Sequence, residues 1–213
     1  MRLLNKIIEF PPLSEANSDG LLAIGGDLSS KRVLYAYKSG IFPWYEADQP
    51  LMWWSPDPRF VLYPSKLKIS KSSKQLLKSK KFEVSVNRNF KEVILACAKI
   101  NRQSQSGTWI TDQMIEVYCE LHNMGIAKSI EVWLDNKLVG GLYGIQFNDV
   151  VFCGESMFSS VSNASKIGFI SFIQMSKFKL IDCQVYSSHL ESLGAEFISR
   201  SDFIQYLAPV QSI

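Results

Sequence analysis

Ser129-Ile-Glu-Val-Trp-Leu-Asp-Asn-Lys-Leu-Val-Gly-Gly-Leu-Tyr-Gly-Ile145 is the stretch on which the fold turns. Ser129 to Leu134 alternates polar and apolar side chains, as a strand with one buried face does. Asp135-Asn136-Lys137 supplies a turn, and Leu138 to Ile145 returns, so the segment predicts a β-hairpin. A hairpin at the centre of the chain calls for an antiparallel sheet around it. Downstream, Asn148-Asp149 turns into a Val150–Cys153 strand. Asn163 to Lys177 then spaces Phe169, Phe172 and Ile173 as one face of a helix, and Leu180 to Val185 is the next strand. Upstream, Thr111 caps a helix that stops at Gly125, after a polar loop at Gln103–Gly107. Before it stand a helix from Asn89 to Asn101 with Val93, Ile94 and Cys97 on one face, a Phe82–Val86 strand and a Ser70–Lys80 helix. Ser29 caps a helix that Gly40 ends, and a short strand spans Phe60 to Tyr63. Helices and a mostly antiparallel sheet in mixed order give an α+β or mixed-sheet class. The Pro64-Ser65 step divides it, predicting a small domain over 1–64 and a larger one over 65–213.

Between hairpin and N-terminus lies a Pro- and Trp-rich block, Gly40 to Arg59, with three of the five tryptophans and four of the eight prolines. Proline fixes φ and removes a backbone donor, so the block is expected to be irregular and stiff rather than a helix interior or central strand. Large rings on such a frame either stack on another flat group, such as a nucleobase, or plug the gap between two domains. A second local bias follows: from Lys66 to Lys91, nine basic residues face Glu83 alone, although the whole chain carries only +3. Lys71, Lys74, Lys78, Lys80, Lys81 and Arg88 belong to this run, which fits either a polyanion partner or a solvated helix face.

At 46% hydrophobic and 20% charged, the 213 residues have the composition of a soluble globular protein. Ile167 to Ser176, the most apolar run, is too short to span a bilayer and is flanked by Lys166 and Lys177. Met1 to Lys6 lacks the apolar core of a signal peptide. Cys97, Cys119, Cys153 and Cys183 have no metal-type spacing and sit in apolar runs, which predicts free thiols, no metal and a cytoplasmic setting. No phosphate-binding glycine loop is present, because Gly140-Gly141-Leu142-Tyr143-Gly144 lies in a strand. His122 reads as structural. A Cys183–His189 pair lacks anything to activate the thiol. In Asp182-Cys183-Gln184, strand alternation puts Asp182 and Gln184 on one face and Cys183 on the other. Glu155, just after the Phe152–Gly154 strand, is a third polar group at a strand end.

These motifs occur in an order that resembles one family. Leu22-Ala-Ile-Gly-Gly-Asp27, Gly40-Ile-Phe-Pro-Trp44, Trp53-Trp-Ser-Pro-Asp-Pro-Arg59 and Gly107-Thr-Trp-Ile110 come first. Gly154-Glu-Ser-Met-Phe158, Asn163-Ala-Ser-Lys166, Asp182-Cys-Gln184 and His189-Leu-Glu-Ser-Leu-Gly-Ala195 follow. Together they resemble the bacterial leucyl/phenylalanyl-tRNA–protein transferase family from about Gly20 to Arg200. The resemblance implies a small N-terminal domain before a domain similar to the GCN5-related N-acetyltransferase fold. It implies an aminoacyltransferase that moves leucine or phenylalanine, and less well methionine, from aminoacyl-tRNA to an N-terminal arginine or lysine. That transfer marks the acceptor for degradation through the N-end rule pathway.

Carried over residue by residue, Trp44, Trp109 and Tyr118 would surround the terminal adenosine, and Phe152, Phe169 and Phe172, with Leu142 where a methionine is frequent, would form the side-chain pocket. Asp182 and Gln184 match the catalytic pair, and Glu155 an acidic residue near the acceptor. Lys128 and Lys68 depart from frequent histidines outside these positions. The basic run would hold the acceptor stem of leucine and phenylalanine tRNAs, with no cofactor, no membrane and a monomeric chain. In that reading the carbonyl oxygen of Gln184 aligns the attacking amine, and Asp182 orients Gln184 or takes up positive charge. Two rivals stand beside it. A coenzyme A-dependent acetyltransferase would need the pyrophosphate loop that is missing before Asn163. A non-catalytic RNA-binding protein would use the lysines and tryptophans alone.

Overall fold

A computed structural model of the chain describes residues 2–100, 109–147 and 150–208. The expected loop at Gln103–Gly107 and turn at Asn148-Asp149 lie outside the described residues. The N-terminal part holds strands β1 (Arg2–Leu4) and β2 (Leu21–Gly25), helix α1 (Ser30–Lys38), and strands β3 (Phe42–Pro43) and β4 (Met52–Trp54). These strands form a sheet in the order β1-β2-β4-β3. Ser29 caps α1 by accepting from the Arg32 amide, and Gly40, at φ +77°, takes the left-handed turn after it.

The remainder runs β5 (Arg59–Leu62), α2 (Lys71–Lys78), β6 (Glu83–Val86), α3 (Phe90–Lys99), α4 (Asp112–Asn123), β7 (Ala127–Leu134), β8 (Lys137–Phe147) and β9 (Val151–Ser159). It ends with α5 (Ala164–Met175), β10 (Leu180–Gln184), α6 (Ser188–Ser192), β11 (Glu196–Ile198) and α7 (Arg200–Leu207). The strands make one seven-stranded sheet, β11-β5-β10-β9-β8-β7-β6. Only the β9–β10 pair is parallel among these described strands, so the mixed α+β reading holds. The chain passes from the first sheet to the second between Trp54 and Arg59.

The hairpin forms, but β7 lies next to the edge strand β6 with Ser129 and Glu131 as buried as Ile130 and Val132, so its alternation does not mark a solvent face, and its turn is shorter than expected. Leu134 pairs with Lys137, and Asp135 and Asn136 alone turn, at φ 50° and 62°, the left-handed pair of a two-residue hairpin. β9 is longer than the Val150–Cys153 expectation, because the eleven residues of β8 offer it partners as far as the Gly140–Ser159 pair. Glu155 is therefore inside a strand and not at its end.

Helices cover both faces. Val93 and Ile94 of α3 and Tyr118 and Leu121 of α4 pack with Tyr143, Ile145 and Cys153. On the opposite face, Phe169, Ile170 and Phe172 of α5 pack with Ile130, Leu142 and Phe152. α5 lies close because Gly168 has no side chain; a Cβ there would come within 2.5 Å of Val132. The Pro/Trp block is less irregular than its composition predicts. It contributes β3, β4 and the first residue of β5, and its prolines stay out of the inner strand β4. Trp53 is fully buried and donates to the Gly25 carbonyl at 2.9 Å, while Trp44 is half-buried, so the block both plugs a core and presents a ring.

Candidate active site

A cavity of about 520 Å³ opens where β9 and β10 run side by side. Trp44 and Trp109 stand in its wall, Leu142, Met157 and Phe169 make it apolar, and Glu155, Asp182 and Gln184 supply its polar groups. Of the expected site residues, the cavity thus gathers Trp44, Trp109, Leu142, Glu155, Phe169, Asp182 and Gln184. Tyr118, Phe152 and Phe172 lie in the layer behind it. Phe152 and Phe172 meet edge to face at 4.8 Å and support the apolar wall. Tyr118 is fully buried and reaches the site through its hydroxyl rather than its ring face.

Parallel pairing of β9 with β10, in which Asp182 is the partner of Cys153, brings the polar groups together. Beyond Asp182 the ladder to β5 slips by one residue, so that Asp182 pairs with Val61 and Gln184 with Phe60. Gln184 takes φ +63°, an uncommon value for a side-chain-bearing residue. The extra residue re-aims Gln184, while Cys183 packs with the layer of Phe152 and Phe169, opposite the side on which Asp182 meets Arg59, as alternation expects. The Asp182 carboxylate fixes the bulge by accepting the Gln184 amide N–H at 2.9 Å.

The same carboxylate is fully buried in a two-pronged pair with Arg59, from Nε at 2.8 Å and Nη2 at 2.7 Å. Arg59 lies between the rings of Phe42 and Phe203, at 4.6 and 4.7 Å. Burial opposes its charge, but Asp182 outweighs that, and its pKa is raised. Sequence reasoning missed Arg59. The available signal was an arginine opening the otherwise apolar strand Arg-Phe-Val-Leu, where burial demands a partner.

The Gln184 side chain donates from Nε2 to Glu155 Oε1 at 2.8 Å, which leaves its carbonyl oxygen to accept. Glu155 Oε2 accepts from Tyr118 at 2.9 Å, and Tyr118 in turn shares a 2.6 Å hydrogen bond with Tyr37 of α1. Burial pushes the Glu155 pKa up to about 7, and the charge of Asp182 adds to the rise. Hydrogen bonds from Tyr37, Tyr118 and Gln184 pull it back down. Burial, followed by the charge of Glu155, raises both tyrosines well above their usual range, so they remain donors. Burial and then Asp182 raise the Cys183 thiol, which gives it no thiolate character, and burial then Lys166 lower His189. His122 bonds the Ala127 carbonyl and stacks on Phe90 at 4.4 Å, a structural role.

Lys71, Lys74, Lys78, Lys80 and Lys81 are exposed on or just after α2. Arg88 is exposed as well, but it pairs with Glu83 at 2.9 Å and covers the Trp133 ring. Among the described residues, no cluster of His, Cys, Asp and Glu could hold a metal ion, and no helix is long and apolar enough to cross a membrane.

Comparison with known proteins points one way. The profile described as leucyl/phenylalanyl-tRNA protein transferase matches residues 61–208, and that of the family's N-terminal domain matches residues 26–57. A leucyl/phenylalanyl-tRNA–protein transferase of Flavobacterium johnsoniae is 57% identical over 210 residues, 97% of this chain and 99% of that one. One from Christiangramia forsetii is 56% identical over 211 residues, 97% of this chain and 100% of that one. Among solved structures, a GCN5-related N-acetyltransferase from Kribbella flavida aligns with a TM-score of 0.38 at 11% identity, over 75% of this chain and 57% of that one. Matched by both profiles and by relatives of that name along nearly its whole length, the chain belongs to the leucyl/phenylalanyl-tRNA–protein transferase family and is an aminoacyltransferase.

Proposed function

We propose that this cavity is where leucine or phenylalanine leaves its tRNA for the N-terminal arginine or lysine of a protein, a step of the N-end rule pathway. The hydrogen-bonded Glu155–Gln184 pair, in a cavity walled by two tryptophans and lined by Leu142 and Phe169, carries this reading. The terminal adenosine would stack at Trp44 and Trp109, and the transferred side chain would occupy the apolar part. An apolar pocket separates side chains by only about 1–3 kcal/mol per methylene, so leucine, phenylalanine and methionine fit while selectivity among them stays modest.

The reaction is aminolysis of an ester. The neutral α-amine attacks the ester carbon, a C–N bond forms, the acyl C–O bond breaks, and one proton passes from nitrogen to the departing ribose oxygen. With a reference pKa of about 7.7–8.0, the amine needs alignment more than activation. The free carbonyl oxygen of Gln184 accepts one N–H and aims the lone pair. Glu155, with its pKa at about 7, is suited to hold the proton in transit. Asp182 and Arg59 act through Gln184 by holding the bulge that places it. The lysines of α2 would bind acceptor-stem phosphates without reading sequence. The protein works as a monomer in the cytoplasm in this reading, with a small N-terminal domain before the catalytic one.

Transfer of labelled phenylalanine from Phe-tRNA to a peptide beginning with arginine tests the reading. Gln184→Ala is expected to lower kcat about 100-fold while tRNA binding and the thermal midpoint are retained. Folded wild-type protein that binds tRNA and transfers nothing would overturn it.

A further inference from the structure

Beyond the bulge the chain leaves the sheet with two apolar side chains in solvent, Val185 at 41% exposure and Tyr186 at 52%. Phe197 of β11, also 52% exposed, lies parallel to Tyr186, with ring centres 6.2 Å apart and planes 15° apart. Both rings rest on buried Phe60, at 5.5 and 4.9 Å. Single exposed apolar residues need no explanation, but a cluster of three does. This one is built to stay in place: Phe60 supports it from below, and the Tyr186 hydroxyl donates to Glu191 Oε2 at 2.8 Å. β11 is the outer strand of its sheet, so no further strand covers the ring pair among the described residues.

Tyr186 lines the cavity, and Phe197 stacks against it from outside the lining. The lining includes Glu155 and Asp182 and neither lysine nor arginine, and its one histidine has a lowered pKa. Glu191 adds a further carboxylate beside Tyr186, just past the lining residues His189 and Leu190. A flat ring face beside a carboxylate attracts a guanidinium or ammonium group, and the nearby lysines lie outside the lining, Lys166 toward His189 and Lys66 paired with Glu196.

We propose that Tyr186, Phe197 and Glu191 form the subsite for the basic side chain of the acceptor's first residue. The inference rests on the aminoacyl-transfer reading of the cavity. With the adenosine at Trp44 and Trp109, the wall past Gln184 is left for the acceptor. Two residues span at most about 7 Å, so an arginine whose amine is aligned by Gln184 reaches the ring of Tyr186.

The test is steady-state transfer from Phe-tRNA to peptides that differ only in a first residue of arginine, lysine or citrulline, the neutral counterpart of arginine. Tyr186→Ala and Glu191→Gln should each raise KM for the arginine peptide about tenfold, with kcat and the KM for Phe-tRNA retained. Both should shrink the preference for arginine over citrulline. Tyr186→Phe keeps the ring but releases the Glu191 carboxylate, so it should raise the KM for the arginine peptide by less than Tyr186→Ala does. Unchanged peptide KM in the first two variants would overturn the subsite, and a rise in the KM for Phe-tRNA instead would give the rings to the nucleic acid. Absence of wild-type transfer with every peptide would remove the aminoacyl-transfer reading itself, and the subsite with it.

Discussion

Glu155 carries a cost that can be measured separately from catalysis. Its pKa rises from an ordinary 4.5 to about 7 in the folded chain. Between those values the folded protein holds a proton that the unfolded chain has lost, so stability falls as pH rises across the window. The loss is complete above about 7 and amounts to at most about 3 kcal/mol, an upper bound because the carboxylate opens onto the cavity and water there screens it. His189 acts oppositely: its lowered pKa makes stability rise with pH up to its ordinary 6.5. Asp27, held at about 2 by Arg32, contributes fully above its ordinary 3.8 and adds no slope at neutral pH. Denaturant titrations of wild type and Glu155→Gln from pH 5 to 8 should therefore diverge, with wild type losing ground to the variant as pH rises. Parallel curves would refute the assignment. The Arg59–Asp182 pair behaves differently, because removing one partner leaves the other buried and uncompensated. Asp182→Ala is expected to cost about 3–5 kcal/mol, visible as a lower denaturation midpoint. Loss of transfer in that variant thus reports the collapse of the bulge, whereas Gln184→Ala tests the chemistry.

At the level of elements, the hairpin depends on glycine for reasons of space. A Cβ on Gly144 would come within 2.2 Å of the Cys153 carbonyl oxygen and 2.5 Å of the Phe152 ring. Gly144→Ala should destabilise by about 1–3 kcal/mol and disturb the wall that Phe152 supports; an unchanged urea midpoint would contradict this. Much of this architecture was legible. The alternation of Ser129 to Leu134 and the Asp-Asn turn gave the hairpin, and Ser29 and Thr111 each accept the amide bond expected of a cap, while Ser70, expected as the first helical residue, caps α2 instead. The extent of β9 was not legible, because Gly154 and Glu155 interrupt its apolar run and only the partner strand β8 carries it on to Ser159. The bulge at Gln184 was hidden for a similar reason. A period of two has no term for a register slip imposed by β5, so the left-handed backbone of Gln184 was not foreseen. Strand spacing singled out Asp182, Gln184 and Glu155 as polar groups, and Trp44 stood in the tryptophan-rich block, but their roles came only from family resemblance. Arg59 and Tyr37 escaped because their partners lie 123 and 81 residues away, and no spacing rule reaches that far.

For the whole molecule, charge is divided by location. The cavity lining has no lysine or arginine, while α2 presents exposed lysines elsewhere on the surface. If that helix holds the acceptor stem, Lys71→Glu, Lys74→Glu and Lys78→Glu together should weaken tRNA binding and reduce the slope of log K against log salt by about 2–3, leaving the KM for peptide alone. An unchanged slope would move the tRNA interface to another face. Tyr37 and Tyr118 extend this view across the chain, since one belongs to α1 beside the small sheet and the other to α4 beside the large one. Their hydrogen bond ends on the carboxylate at the centre of the cavity. Recombination between relatives at the crossing from Trp54 to Arg59 would therefore draw the two phenols from different parents. A phenylalanine inherited on either side would leave a chimera with both sheets intact and a mistuned acid, so the two parents of a working chimera have to agree on both phenols.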